Sequence, residues 1–248
     1  VTNTGSITGC EAEENGGAIY ASTGSGVNIN SGSNLTGNSA KGNGGAIYSD
    51  ANVILRGSVG GTGDGEGNTA GSLGGGIYAA ANFTMYSGSS ISGNSAANGG
   101  GAAVFGKTSI AGGTLNKNTA SVSSGTDGFG GALYAAGDAN VTIGGLAAFT
   151  DNSAAKGGAV YDAAVVTMSG SSKMTGNTAA SGSAVYVADT EDGAGEAVGH
   201  TFTMTAGAIT ENISPAGAVN AEKNSRLIFS GNSKVTGNTA ADNSAVMN

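Results

Sequence analysis

Three charged side chains occupy the same place in a phrase that recurs along this chain. Lys117, Asp151 and Glu211 each stand directly before an Asn, where other copies of the phrase have Gly. Glycoside-cleaving enzymes use two carboxylates separated by roughly 5–9.5 Å. If each copy forms one layer of a stacked structure, Asp151 and Glu211 lie two layers apart, at about 9.6 Å. Solvated charges or an exposed ion pair are therefore the favoured interpretation, and catalysis is the alternative.

The other residues that could carry chemistry are scattered. His200 is the one histidine, and it follows the acidic segment 189–196. One histidine with dispersed acids makes neither a metal triad nor a nucleophile–base pair. The acidic segment lacks the spacing of a calcium loop, and the Gly-Gly pairs lack the Lys-(Ser/Thr) of a phosphate loop. We therefore expect no catalytic residue, no cofactor and no metal, and we interpret segments 189–196 and 64–66 as solvated loops.

An aromatic column is the best candidate for a binding surface. It closes most copies of a second phrase, Gly-Gly-Ala-aliphatic-Tyr, and consists of Tyr20, Tyr48, Tyr78, Phe105, Tyr134, Tyr161 and Tyr186. Side chains alternate between faces along a strand, so an inward aliphatic residue predicts an outward ring beside it. Such a stripe suits contact with a protein or a glycan. The alternative is that the rings only cover the loop side of the fold.

Both phrases belong to an internal repeat with steps of 25 to 34 residues. Full copies of the Gly-Gly-Ala-aliphatic-Tyr phrase span 16–20, 44–48, 130–134 and 157–161. Copies of aliphatic-Thr-Gly-Asn-(Ser/Thr)-Ala span 35–40, 174–179 and 235–240, and alternating triplets include 27–29, 83–85, 141–143 and 202–204. Three short apolar pieces per period, without helical or Leu-rich units, predict a parallel β-solenoid.

The predicted fold is all-β, with about nine coils of 25–30 residues and three short strands in each coil. We expect residues 1–248 to form a single solenoid domain. One aliphatic column is predicted to face inward and to stack from coil to coil, while the preceding Gly pair allows a bend that a Cβ would obstruct. This column consists of Ile19, Ile47, Ile77, Val104, Leu133, Val160, Val185, Val219 and Val246.

A column of asparagines is predicted to turn inward at a bend. Its amides can bond to the backbone and to the Asn of the next coil, which gives a structural ladder rather than a catalytic set. Cys10 holds the corresponding place in the first copy. The predicted ladder consists of Asn38, Asn68, Asn94, Asn118, Asn152, Asn177, Asn212 and Asn238.

Composition excludes several classes of protein. The chain has 48 Gly in 248 residues but one Pro, so it is not collagen. A net charge of −8 disfavours nucleic acid as a partner. No apolar run approaches the roughly 20 residues of a membrane span, so we expect no direct membrane insertion. Because neither end has a polar capping element, we expect a segment of a longer protein, with flanking coils of the parent chain as neighbours.

Two tetrapeptides link the repeats to a known family. Phe149-Thr150-Asp151-Asn152 has the form Phe-x-x-Asn, and Gly157-Gly158-Ala159-Val160 has the form Gly-Gly-Ala-(Ile/Leu/Val). Their pairing in repetition resembles the passenger domains of polymorphic membrane proteins, which are autotransporter adhesins of bacterial outer membranes. Similar coils also occur in a broader class of bacterial surface β-helix proteins.

The resemblance implies a right-handed parallel β-helix and an extracellular location at a bacterial cell surface. It also implies a non-catalytic role in attachment, with a host-surface protein or glycan as the partner. Two other interpretations remain open at this point. One is a polysaccharide-processing enzyme on a β-helix, and the other is a purely structural rod.

Overall fold

The computed structural model describes residues 1–122, 128–241 and 246–247, the last pair through its strand alone. Every regular element in these ranges is a β-strand, so they contain no helix that could cross a membrane. Parallel strands stack into a β-solenoid, and the described residues form nine layers. The predicted all-β solenoid of about nine coils is confirmed.

Strands stack in four columns, which we name faces 1 to 4 in the order in which the chain passes through them after each Gly-Gly phrase. Face 1 contains Ile19–Ala21, Ile47–Ser49, Ile77–Ala79, Ala102–Val104, the first residues of Leu133–Ile143 and of Val160–Met168, Val185–Val187, Val219–Ala221 and Val246–Met247. Face 2 contains Thr2–Asn3, Val27–Ile29, Val53–Leu55, Phe83–Met85, Lys107–Ile110, the last residues of Leu133–Ile143 and of Val160–Met168, and the first residues of Thr201–Thr210 and of Arg226–Thr236.

Faces 3 and 4 lie on either side of the Asn bend. Face 3 contains Ser6–Thr8, Asn34–Thr36, Ser58–Gly60, Ser90–Ser92, Thr114–Asn116, Ala148–Thr150, Lys173–Thr175 and the last residues of Thr201–Thr210 and of Arg226–Thr236. Face 4 contains Glu11–Ala12, Ser39–Ala40, Thr69–Ala70, Ser95–Ala96, Thr119–Ala120, Ser153–Lys156, Thr178–Ser181, Ile213–Ser214 and Thr239–Ala240.

Face 4 corrects the prediction of three strands in each coil. The sequence phrase 35–40 was interpreted as one apolar piece, but it forms the end of one strand and the whole of another. Gly37 takes a left-handed backbone conformation with φ of 62°, and the buried Asn38 follows it. This bend separates Asn34–Thr36 from Ser39–Ala40, and the second strand joins a separate nine-stranded sheet.

The core is a continuous column of apolar side chains along the solenoid axis. Ile47, Ile77 and Leu133 of the predicted aliphatic column are fully buried, as are the large side chains Phe83 and Phe149 of faces 2 and 3. Like residues pair directly from coil to coil, so each layer removes apolar surface from water on both of its sides. The side chain of Val246 lies outside the described residues.

Val104 is buried, but its predicted place in the column is wrong. Ala102 pairs with Ile77, whereas Val104 pairs with Ala79. Since strand side chains alternate with a period of two, a slip of two residues leaves Val104 facing the core. The sequence pattern alone therefore could not detect the slip.

The Gly-Gly pairs are required by close contacts of the backbone. Gly44 has φ of 67°, and a Cβ there would lie 2.2 Å from the carbonyl oxygen of Ile47. A Cβ on Gly45 would lie 2.2 Å from the carbonyl oxygen of Gly75 in the next coil. The predicted bend at the Gly pair is confirmed, and the pair also lets adjacent coils approach each other.

Candidate functional site

The rings of the aromatic column lie side by side along the outside of face 1, and we call this row the aromatic stripe. Two runs of three tyrosines have nearly parallel rings, with interplanar angles of 2° to 8°. The centroid distances are 5.0 Å for Tyr20 and Tyr48, 4.8 Å for Tyr48 and Tyr78, 5.3 Å for Tyr134 and Tyr161, and 5.8 Å for Tyr161 and Tyr186. The fold thus builds a stacked aromatic ladder from seven distant positions of the sequence.

Phe105 bridges the two runs from a different register position than predicted. Ala103 pairs with Tyr78 and with Tyr134, and Phe105 follows two residues later, beyond the strand. Its ring lies 5.2 Å from that of Tyr78 and 6.3 Å from that of Tyr134, with tilts of 41° and 57°. Because side chains alternate with a period of two, the two-residue offset places Phe105 on the same outer side as Ala103.

Exposure falls along the stripe from one end to the other. Tyr20 is 57% exposed, the tyrosines from Tyr48 to Tyr161 are half-buried, and Tyr186 is only 6% exposed. The prediction that all the rings lie at the surface is therefore wrong for Tyr186. Within the stripe the ring faces contact one another, so the stripe offers ring edges and hydroxyl groups to solvent.

Three residues outside the predicted column close the buried end of the stripe. Phe129 stacks on Tyr161 with centroids 4.7 Å apart. The Lys156 ammonium lies 4.6 Å from the ring centroid of Tyr186 and 3.5 Å from a carboxylate oxygen of Glu222, which accepts a hydrogen bond from the Tyr186 hydroxyl. A sequence signal existed for two of them, because Phe129 and Lys156 directly precede a Gly-Gly phrase, where other copies have Asn.

Burial keeps the hydroxyl groups of several tyrosines in the stripe protonated. Burial, followed by a 2.9 Å hydrogen bond to Asp50, raises the pKa of Tyr48 to about 12. Burial also raises the pKa of Tyr134, Tyr161 and Tyr186. These four hydroxyl groups are therefore neutral at physiological pH.

The asparagines at the bend between faces 3 and 4 form a hydrogen-bonded ladder. The Nδ2 and the backbone N–H of Asn152 both donate to Oδ1 of Asn177 in the next coil, at 2.8 and 3.0 Å. Nδ2 of Asn177 in turn donates to the Phe149 carbonyl at 3.0 Å. The same pattern connects Asn38, Asn68, Asn94, Asn118, Asn152, Asn177, Asn212 and Asn238. All of these residues are buried except Asn238, which is half-buried.

Lys117, Asp151 and Glu211 stand on the outer side of this bend, fully in solvent. They are the non-glycine residues with positive φ in the described ranges, at 52°, 54° and 59°. A left-handed conformation costs an L-residue about 1–2 kcal/mol. Within those ranges the three side chains make no ion pair with one another. The structure therefore places them as predicted on a turn, and the ion pair that was one interpretation of them is absent.

The segments interpreted as solvated loops are both exposed, but one of them is more ordered than expected. Asp189–Glu191 and Ala197–Gly199 pair as an antiparallel hairpin that projects from the solenoid. His200 lies at its base, 2.9 Å from the Thr190 hydroxyl. Segment 64–66 is a turn. In the described part of the chain, no group of three His, Cys, Asp or Glu residues is placed to hold a metal ion.

Sequence analysis missed a carboxyl group inside the solenoid. Asp162 is completely buried on face 1, between Ala135 and Val187 of the adjacent coils. One oxygen accepts a hydrogen bond from the Ala164 N–H at 3.1 Å, and the other has no partner among the described residues. Burial, only partly offset by that hydrogen bond, raises the pKa of Asp162 to about 7. Side chains alternate along the strand, so the residue after the outward Tyr161 points inward. Nothing else in the sequence pattern indicated a buried carboxyl group at this position.

Comparison with known proteins found a family model that matches one unit of this solenoid. Residues 32–50 match the model of the Chlamydia polymorphic membrane protein repeat. This unit contains strands of faces 3, 4 and 1, with Asn38 of the ladder and Tyr48 of the stripe. No match to the chain was found among curated proteins or solved structures. One segment of the chain is thus similar to a polymorphic membrane protein repeat, and the β-solenoid fits the passenger of a polymorphic-membrane-protein-like autotransporter.

Proposed function

We propose that this chain is a non-catalytic segment of a bacterial surface adhesin, which attaches to proteins or glycans of a host cell. One observation carries the proposal: the polymorphic membrane protein repeat at 32–50 is the same structural unit that recurs through the solenoid. A repeat of this family suggests a surface or outer-membrane protein. To this surface location we add the proposal that the chain attaches to host cells.

The geometry supports attachment because the solenoid repeats the same outward groups at a fixed step. Many modest contacts along a rod add up to strong binding when they engage together. The aromatic stripe gives apolar edges and hydroxyl donors, and these suit a protein surface. Tyr20 offers the most accessible ring of the stripe.

The attachment proposal predicts saturable binding of the purified, fluorescently labelled chain to cultured host cells. Tyr20→Ser is expected to weaken the binding about two- to ten-fold, the loss typical of a peripheral aromatic contact. Tyr86→Ser is the matched control, since Tyr86 is 40% exposed and lies outside the stripe. Flow cytometry over a concentration series measures both variants. Absence of saturable binding by the unaltered chain would contradict the proposal.

A purely structural rod is the second candidate, and the stripe itself favours it. The rings from Tyr48 onward lie against one another, with Phe105 tilted between the two stacked runs, and Lys156 and Glu222 cover Tyr186. In that case the aromatic ladder serves to stiffen the solenoid. The rod predicts that the labelled chain binds no cell type, whereas the adhesin predicts binding.

A further inference from the structure

A groove opens at the corner between faces 2 and 3 in the last coils of the solenoid. Its volume is about 470 Å³, within the roughly 300–1,000 Å³ of ordinary ligand sites. Residues 170–172 and 206–208 line it, and Asn232 contributes an amide. Lys173 and Lys234 complete the lining, and we call this site the lysine groove.

The strand register fixes the distance between the two ammonium-bearing positions. Lys173 pairs with Ala208, and Ala208 pairs with Lys234. Met174 follows Lys173 and is buried in the core, and Val235 follows Lys234 and packs against the core, so both lysines point outward. Two strand spacings separate them by about 9.6 Å, and the small side chain of Ala208 leaves the space between them open.

The groove is locally cationic on an acidic protein. No carboxylate among the described residues lines it, although the chain carries a net charge of −8. Lys173 and Lys234 are exposed and form no ion pair within the described residues. Glu211 is the nearest acid along the chain to Ala208, and it stands on the turn beyond the end of that strand. Two ammonium groups without partners therefore face an open space lined with hydroxyl and amide groups.

We propose that the lysine groove binds an acidic glycan, with sulfate or carboxylate groups that contact Lys173 and Lys234. Charge-assisted hydrogen bonds from ammonium groups are the strong polar contacts available here. Ser171 and Asn232 can pair with sugar hydroxyls between the two charged positions. This inference rests on the proposed function and names the ligand class that the attachment recognises.

The test uses a heparin-derived hexasaccharide, its fully desulfated counterpart and neutral maltohexaose, each titrated calorimetrically into the purified chain. We expect binding of the sulfated probe, weaker binding of the desulfated counterpart, which keeps its carboxylates, and no binding of maltohexaose. The binding should weaken as the NaCl concentration rises. Lys173→Gln combined with Lys234→Gln is expected to weaken that binding by about ten-fold or more. Lys107→Gln is the matched control, because Lys107 is exposed on face 2, away from the groove. Its affinity should equal that of the unaltered chain.

Two results would overturn the inference: no binding of the sulfated hexasaccharide, or equal affinity for the double variant and the unaltered chain. Circular dichroism of the double variant shows whether the fold is intact. The cell-attachment assay separates this inference from the function on which it rests. If the unaltered chain attaches to cells and the double variant attaches equally well, the glycan site is wrong and the adhesin stands. If the unaltered chain does not attach, the proposed function fails.

Discussion

Replacement of Asn177 by Leu is expected to lower the free energy of unfolding by about 3–5 kcal/mol, because a buried polar group without a partner costs roughly 1–3 kcal/mol. The change removes the acceptor of two donors on Asn152 and the donor to the Phe149 carbonyl. All of these groups are far from water, since both asparagines are fully buried. Chemical denaturation followed by circular dichroism measures the loss.

Asn140→Leu is the matched control for this variant. Asn140 is exposed on face 2, and a surface replacement there should change stability by no more than about 0.5 kcal/mol. Equal denaturation midpoints for the two variants would show that the ladder contributes no stability. A loss confined to Asn177→Leu would support the ladder as the element that holds adjacent coils in register.

The second large effect is a gain of stability on acidification, carried by Asp162. Its pKa is raised from 3.8 to about 7 in the folded chain, so between these values the folded state holds a proton that the unfolded state has lost. Stability from this group therefore rises as the pH falls below 7, and above 7 the folded chain bears the full cost of the buried charge. At 1.36 kcal/mol per pKa unit, the shift from pH 8 to pH 5 amounts to about 3 kcal/mol.

Asp162→Asn should remove this contribution while it keeps the shape of the side chain. The measurement compares the free energy of unfolding at pH 8 and at pH 5 for the unaltered chain, for Asp162→Asn and for the control Asp138→Asn. Asp138 is an exposed carboxylate in the preceding coil, so its variant should retain the full pH dependence. If Asp162→Asn keeps the same pH dependence as the unaltered chain, the account of the buried carboxyl group is wrong.

Much of the fold could be predicted because the same short sequence motifs recur in each coil. The Gly-Gly pair allows a bend, the aliphatic column fills the core, and the Asn column satisfies buried polar groups. Because these requirements recur in every layer, the repeated motifs can be told apart from chance matches. The fourth strand could not be predicted in this way. The bend at Gly37 and Asn38 was expected, but only two residues, Ser39–Ala40, form the strand after it, which is too short a run to show a strand pattern.

The candidate sites were harder to predict, because they depend on contacts between coils. Phe105 and Val104 were misplaced by two residues, a slip that leaves the inside–outside pattern unchanged. Lys173 and Lys234 are 61 positions apart in the sequence and meet in one groove only through the strand register. Asp162 is a carboxyl group in a column whose neighbouring members, Ala135 and Val187, are buried and apolar, and the sequence pattern does not report what surrounds a carboxyl group at such a position.

The measurement that tests the central claim most directly is one that records binding and turnover together. The purified chain is incubated with a panel of immobilised neutral and acidic polysaccharides, and both the retained protein and the released oligosaccharides are quantified by mass spectrometry. The account predicts retention on at least one acidic polysaccharide with no fragment above the level of a heat-denatured control. Release of fragments that disappears in Asp151→Asn would contradict it, and would assign the solenoid to the polysaccharide-processing enzymes instead.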